Sequence, residues 1–231
     1  MILPILIAGF AAYLLGSLPF GVIVARAYGV NIFEVGSKNP GATNVRRSVG
    51  KRAGAIVLVL DILKGALATG LPLIVAWLIG PMDSAAGGWR CPFTGTVLFG
   101  ADDLVGMQIA GLVGSVVGHS FSCFTRFRGG KGVATGAGAF VVLVPLTGLI
   151  VALVWVVSFY SFRYVSLASI LGAAAVPVAA WLTREPLPIV VLGACVGGFV
   201  IMRHRENLGR LLKGTESKFA RKPKPGTPPA A

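Results

Sequence analysis

Two glycine-rich polar segments carry the residue types that bind phosphorylated ligands. The first reads Gly36-Ser37-Lys38-Asn39-Pro40-Gly41-Ala42-Thr43-Asn44-Val45-Arg46-Arg47. Small residues alternate there with hydroxyl and amide donors, so backbone N–H groups can approach an anion closely, and a helix starting near Thr43 aims its positive end at the same place. An ordinary turn capped by Ser or Asn uses the same residue types; the density of donors beside two arginines favours a phosphate cradle. The second segment runs from Gly118 and His119 through Thr125 to Gly129-Gly130-Lys131-Gly132, immediately before an apolar run. It offers Lys131 and several free N–H groups to a second anion. It is not a Walker motif, because Gly132 follows Lys131 where that motif requires Ser or Thr. His119 alone reads as an interfacial polar residue, and its place beside this loop makes it a candidate for the site.

Three further groups qualify. Asp61 and Lys64 lie one turn apart inside an apolar run, where ionised groups are expensive and face the protein interior or water. Their spacing allows an ion pair that holds a site open, or contact with substrate. Ser166 and Ser169 follow Arg163-Tyr164 at the start of an apolar run, although serines in membrane helices also bond back to carbonyls. The polar run His204-Arg205-Glu206-Asn207 ends another, with Arg210 one turn on. His204 and Asn207 are three residues apart and share a helical face.

The elements that must position these residues are membrane helices. The 231 residues are 55% hydrophobic and 13% charged, against roughly a quarter charged in soluble domains. Apolar runs at Ile2–Ala25, Ala53–Ile79, Leu104–Val117, Val133–Tyr160, Leu167–Trp181 and Pro188–Met202 cover most of the length, and a helical span needs about 20 such residues. The first run lacks a basic segment before it and a cleavage site after it, so it reads as a retained span. Lys and Arg cluster at 26–52, 126–131, 163 and 203–224, while the connections at 80–103 and 183–186 hold Asp83, Asp102, Asp103 and Glu185 with only Arg90 and Arg184. Basic clusters facing the cytoplasm place the N-terminus outside and the C-terminus inside. The 31 residues between Lys131 and Arg163 must then cross an even number of times. Pro145 and Gly148 interrupt that stretch, which predicts a short helical hairpin over about 133–161 with arms of about 20 Å. The expectation is an all-α integral membrane protein of seven transmembrane helices. Residues 1–216 form a single membrane domain, and 217–231 a disordered, basic, Pro-rich tail able to touch anionic lipid headgroups.

Other classes are disfavoured. The net charge of +13 is dispersed among apolar spans without aromatic interleaving, which argues against nucleic acid. Cys91, Cys123 and Cys195 show no metal-ligand spacing and look incidental; no metal or cofactor is expected. A transporter or channel for an organic phosphate is the rival class, but the polar motifs crowd one side and no internal repeat is evident.

These motifs resemble the acyl-phosphate:glycerol-3-phosphate acyltransferases of the PlsY type. The resemblance rests on Gly-Ser-x-Asn-x-Gly-Ala-Thr-Asn at 36–44 with Arg47 downstream, Asp-x-x-Lys-Gly at 61–65, Gly-His-x-Phe and Phe-x-Gly-Gly-Lys-Gly-Val-Ala-Thr within 118–135, and His-Arg-Glu-Asn-x-x-Arg-Leu at 204–211. Two departures are the long connection at 80–103 and the Pro-rich tail, neither at motif positions. The resemblance implies transfer of a fatty acyl group from acyl phosphate to the 1-hydroxyl of glycerol 3-phosphate, giving lysophosphatidic acid and inorganic phosphate. It implies a multi-pass protein of the bacterial inner membrane with its active site facing the cytoplasm, in contact with membrane lipid. Ser37, Thr43 and Lys131 are assigned to the acyl-phosphate headgroup, with His119 added as catalytic. Arg47, His204 and Asn207 are assigned to glycerol 3-phosphate. Gly36, Asn39, Gly41, Asn44 and Gly130 are expected to build the binding loops, and Lys64, Ser166, Ser169 and Glu206 to complete the substrate contacts. The donor is already activated, so direct transfer needs no acyl-enzyme; a nucleophilic Ser37 or Ser166 with His119 or His204 as base is the alternative.

Overall fold

Pro19 lacks an N–H and breaks the first apolar run, giving α1 (Ile2–Ser17) and α2 (Phe20–Ala27). The computed structural model describes residues 2–219. The chain continues through α3 (Ala42–Ser48), α4 (Lys51–Ile79), α5 (Ala101–Ser120) and a single 3-10 turn at Cys123–Thr125. It then forms α6 (Val133–Leu143), α7 (Pro145–Phe162), α8 (Val165–Leu182), α9 (Leu187–Arg203) and α10 (Arg205–Leu212). Among the described residues, five segments are long and apolar enough to cross a membrane: Ile2–Ala27, Lys51–Ile79, Ala101–Thr125, Pro145–Phe162 and Val165–Leu182. A sixth arises if α9 and α10, bent by 60° at His204, count as one.

The break expected at Pro145 is present, with Val144 between the helices and Pro145 as the first residue of α7, where its fixed φ and missing N–H suit a helix start. The arms are unequal, however. The 11 residues of α6 reach only roughly 16 Å, while α7 continues for 18 residues. It stops where Arg163 takes a left-handed φ of 64°.

Helices pack through small residues, as expected where lipid supplies no hydrophobic drive for helix association. A Cβ on Gly65 of α4 or on Gly138 of α6 would collide with the backbone of the facing helix at Thr135 or Ile62. The centre of the bundle is a cluster of Leu112, Ala139, Phe140, Val144, Val176 and Ile189, contributed by α5, α6, α8 and α9. Large apolar side chains such as Leu3, Phe10, Leu153 and Trp181 point outward, the distribution that a lipid-facing surface requires.

The two ends of the bundle differ. At one, Val22, Ala25, Ile32, Val45, Ala53 and Val57 bury the base of the first glycine-rich loop. At the other, Ala76, Phe99 and Met107 pack together beneath a two-stranded antiparallel hairpin, β1 (Trp89–Arg90) with β2 (Val97–Phe99). The hairpin is the one departure from an all-α reading among the described residues. The Arg90 Nε–H donates to Asp83 Oδ2 at 2.7 Å, and the Trp89 indole N–H to the Gly80 carbonyl at 3.0 Å. Helix α4 runs from Ala53 to Ala76 between these ends, a separation of about 35 Å.

Candidate active site

The first loop is built on one buried amide. Asn44, 4% exposed, donates from Nδ2 to the Val35 and Ile32 carbonyls at 3.1 and 3.5 Å. Its Oδ1 accepts the Ser37 N–H at 3.0 Å and the Ser48 hydroxyl at 3.4 Å. Gly36, at φ +57°, passes so close to Asn44 Oδ1 that a side chain there would collide with it. The Gly41 N–H donates to Asn39 Oδ1 at 2.9 Å, and Asn39 Nδ2 donates to the Gly129 carbonyl at 3.4 Å. Asn39 thus ties the two glycine-rich loops together. Ser37 is left exposed and Thr43 half-buried. Helix α3 starts at Ala42, one residue before the expected position.

The second loop is held from below and from the side. The Gly130 N–H donates to the His119 carbonyl at 3.0 Å, and a Cβ on Gly130 would strike the His119 ring. His119 Nδ1 stands 3.5 Å from Asp61 Oδ1, which pairs with Lys64 Nζ at 2.8 Å. Lys64 also donates to the Leu18 carbonyl at 2.9 Å, a group freed by the break before α2. Asp61, Lys64 and His119 line a small cavity with Pro40, Gly129 and Gly130. The three side chains therefore form a buried prop beneath both loops. From the side, Arg203 Nη2 donates to the Gly130 carbonyl at 2.9 Å.

Just past these loops lies a cluster of charged and amide groups. Lys131 Nζ donates to Asn207 Oδ1. Asn207 Nδ2 donates to Glu216 Oε1 at 2.7 Å, the Ser166 hydroxyl donates to the same oxygen at 2.8 Å, and Arg210 Nε donates to Glu216 Oε2 at 2.7 Å. Arg47 Nη2 donates to the Ser217 carbonyl at 2.9 Å. Burial pushes the Lys131 ammonium down to about 8, the nearby Glu216 charge opposing the shift and Arg210 adding to it. Burial likewise lowers Arg47, again opposed by Glu216. Burial alone would raise Glu216, but hydrogen bonds from Arg210, Asn207 and Ser166 hold it below the usual carboxylate range. The cluster gathers cationic and neutral donors from α3, the loop before α6, α8 and α10.

A family model described as glycerol-3-phosphate acyltransferase matches residues 6–214. The chain belongs to the glycerol-3-phosphate acyltransferase family. Curated family members include a Rubrobacter xylanophilus protein 43% identical over 208 residues, covering 90% of this chain and 91% of that protein. A Bacillus cytotoxicus protein is 41% identical over 216 residues, covering 92% and 95%. The glycerol 3-phosphate form of PlsY, an integral membrane glycerol 3-phosphate acyltransferase, superposes with a TM-score of 0.76 at 36% identity, covering 94% of this chain and 96% of that one. Its lysophosphatidic acid form gives 0.74 at 35% identity, covering 94% and 95%.

Within this acyltransferase frame, the structure brings Lys131, Ser166 and Asn207 together directly, with Arg47 close by. Buried His204 lies at the junction of α9 and α10, Nδ1 on the Val200 carbonyl at 2.8 Å. Other candidates stand apart. Ser169 donates to the Val165 carbonyl at 2.8 Å and accepts the Trp155 indole N–H at 3.2 Å, so its hydroxyl is spent inside the bundle. Glu206 is exposed. His119 and Lys64 belong to the prop, one layer below the loops. Glu216, Arg210 and Arg203 are contacts that the residue-by-residue reading left out of the site. The available signal was composition: Glu206 and Glu216 are the acidic residues of an otherwise basic stretch from 203 to 224. Ser217–Phe219, expected in the tail, pack on the site: the Phe219 N–H donates to the Arg163 carbonyl at 2.9 Å, and its ring lies 5.1 Å from the Arg46 guanidinium. The rest of the expected tail, residues 220–231, lies outside the described residues.

Proposed function

We propose that the chain transfers a fatty acyl group from acyl phosphate to the 1-hydroxyl of sn-glycerol 3-phosphate, releasing lysophosphatidic acid and inorganic phosphate. The observation that carries this reading is the cluster around Lys131, where cationic and neutral donors from four elements converge beside two glycine-rich loops. Two phosphorylated substrates call for two such anion-binding surfaces.

In the proposed step the substrate hydroxyl oxygen attacks the acyl carbon, the bond from that carbon to the phosphate oxygen breaks, and the hydroxyl proton passes to the leaving phosphate. Ser37, Thr43 and Lys131 meet the acyl-phosphate headgroup, where charge grows on the departing oxygens. Arg47, His204, Asn207 and Ser166 hold glycerol 3-phosphate. His119, instead of acting on a proton, supports the turn at Gly130 together with Asp61 and Lys64. A covalent acyl-serine at Ser166 is disfavoured because its hydroxyl gives its proton to Glu216 and not to a histidine.

The topology belongs to the same proposal. The seven crossings are α1–α2, α4, α5, α6, α7, α8 and α9, with α6 and α7 working as a hairpin whose short arm reaches partway. Short spans of this kind line protein or water cavities. The loops, Lys131 and α10 then face the cytoplasm, and the acyl chain enters from the bilayer.

The test is direct. Purified protein mixed with acyl phosphate and glycerol 3-phosphate is expected to form lysophosphatidic acid and inorganic phosphate in equal amounts. Absence of both products from folded protein would remove the proposal.

A further inference from the structure

Glu216 stands four residues beyond α10 yet is 8% exposed, and both of its carboxylate oxygens are engaged. Oε1 accepts from the Asn207 amide and the Ser166 hydroxyl, and Oε2 from Arg210. The backbone around it is anchored to two other elements. The Ser217 carbonyl accepts from Arg47 of α3, and Phe219 donates to the Arg163 carbonyl at the end of α7 at 2.9 Å. The Phe219 ring lies 5.1 and 5.4 Å from the Arg46 and Arg47 guanidinium carbons and meets Phe159 edge-on at 5.4 Å. The carboxylate is therefore held between α10 on one side and the anchors at Ser217 and Phe219 on the other.

Donor and acceptor inventories show what this placement does. A carboxylate only accepts and an ammonium only donates. Asn207 lies between them, so its NH₂ must turn to Glu216 and its oxygen to Lys131, as observed. The Ser166 proton is likewise committed to Glu216, which leaves its oxygen as an acceptor, suited to a substrate hydroxyl and not to a phosphate oxygen.

The geometry points to Glu216 as a positioning residue for acyl transfer, orienting Asn207 toward Lys131 and Ser166 toward the acceptor hydroxyl; this rests on the proposed acyl-transfer function. Its charge has a second effect. Lys131 is faced by Glu216 and Glu206, which favour the ammonium, and by Arg203, Arg210 and His204, the arginines opposing it. Removing the Glu216 charge leaves the cationic neighbours in the majority.

The experiment is steady-state turnover of wild type, Glu216→Gln and Glu216→Asp across pH. Glu216→Gln is expected to lower kcat/KM for glycerol 3-phosphate by roughly 10- to 100-fold, the loss of a charge-assisted hydrogen bond, chiefly through KM. Its alkaline decline in activity should also move to lower pH, a shift that a purely structural contact would not produce. Glu216→Asp keeps the charge and should raise KM with the alkaline limb near that of wild type. A Glu216→Gln enzyme with the wild-type KM and pH profile overturns the inference. So does any Glu216 variant of higher kcat/KM, because the carboxylate would then be blocking the anion site. If Glu216→Gln does not fold, an unchanged KM in Glu216→Asp overturns it instead. Should wild type form no product, the acyl-transfer reading fails separately. Stabilisation of the protein by glycerol 3-phosphate in thermal unfolding then decides: weaker in Glu216→Gln supports positioning, and equal stabilisation overturns it.

Discussion

Lys131 carries the sharpest residue-level expectations because it is a half-buried cation whose direct partner is an amide and not a carboxylate. Such a group is poised to meet an incoming phosphate. Lys131→Ala is expected to lower kcat/KM by roughly 10²- to 10³-fold, the usual cost of removing a donor from a developing oxyanion. The protein should still extract and elute as wild type does, measured by phosphate release and size exclusion. The sign of the pH dependence follows from burial, which lowers the lysine to about 8. The ammonium persists below that pH and is lost above it, so kcat/KM should hold up to about pH 8 and decline beyond it. A Lys131→Arg enzyme with residual activity should show no such decline, because guanidinium stays charged. Lys131, Ser166, His204 and Asn207 stand out in the sequence as candidates, as donors beside glycines or at the ends of apolar runs, and the structure brings Lys131, Ser166 and Asn207 into one cluster. Glu216 does not stand out: its contacts to Ser166, 50 residues away, follow no local spacing rule. Ser169 is placed apart from the cluster by its packing. Helical spacing puts it one turn from Ser166, but its neighbours Val165 and Trp155 consume its hydrogen bonds.

At the scale of elements, the break expected at Pro145 is present and Pro19 marks a second that was not expected. Pro72 and Pro177, however, lie inside α4 and α8 without ending them, so a missing N–H interrupts a helix only where the context allows it. The unequal arms of α6 and α7 were hidden, since apolar sequence alone does not say where a helix stops. Also hidden was the hairpin at 89–99, whose strands are too short to show alternation and are fixed instead by Asp83, Arg90 and the Trp89–Phe99 stack at 5.4 Å. The Asp61–Lys64–His119 prop joins these elements, closing the break between α1 and α2 while supporting the turn at Gly130. Asp61→Leu strands Lys64 as a buried charge and is expected to cost about 3–5 kcal/mol in unfolding. Adding Lys64→Met to the same chain should recover part of that loss. A double variant less stable than the single one would mean that Lys64 holds the α1–α2 break mainly through the Leu18 carbonyl and not as a partner of Asp61.

For the whole molecule, the decisive property is that the candidate site occupies one end. The glycine-rich loops, Arg203, α10 and the segment at 215–219 meet through Asn39–Gly129, Arg203–Gly130 and Arg47–Ser217, while the opposite end holds a hairpin whose Asp83–Arg90 ion pair is partly exposed. An anionic, water-soluble substrate and a lipid-borne donor can share such a site only if it opens to the compartment that supplies the soluble substrate. From the distribution of Lys and Arg we propose that this compartment is the cytoplasm. Orientation can be tested with residues already in the chain. A variant with Cys123→Ser and Cys195→Ser keeps Cys91, in the connection between α4 and α5, as its cysteine. A companion lacking all three natural cysteines carries Lys38→Cys in the first loop, where Lys38 is exposed. In intact bacterial cells a membrane-impermeant maleimide should label the Cys91 chain, and the Lys38→Cys chain only after permeabilisation. The reverse pattern would invert the molecule and move the site to the outer face. Labelling of both from outside would abolish the one-sided pocket, since the first loop could then reach a surface about 35 Å away only by a path through the bundle.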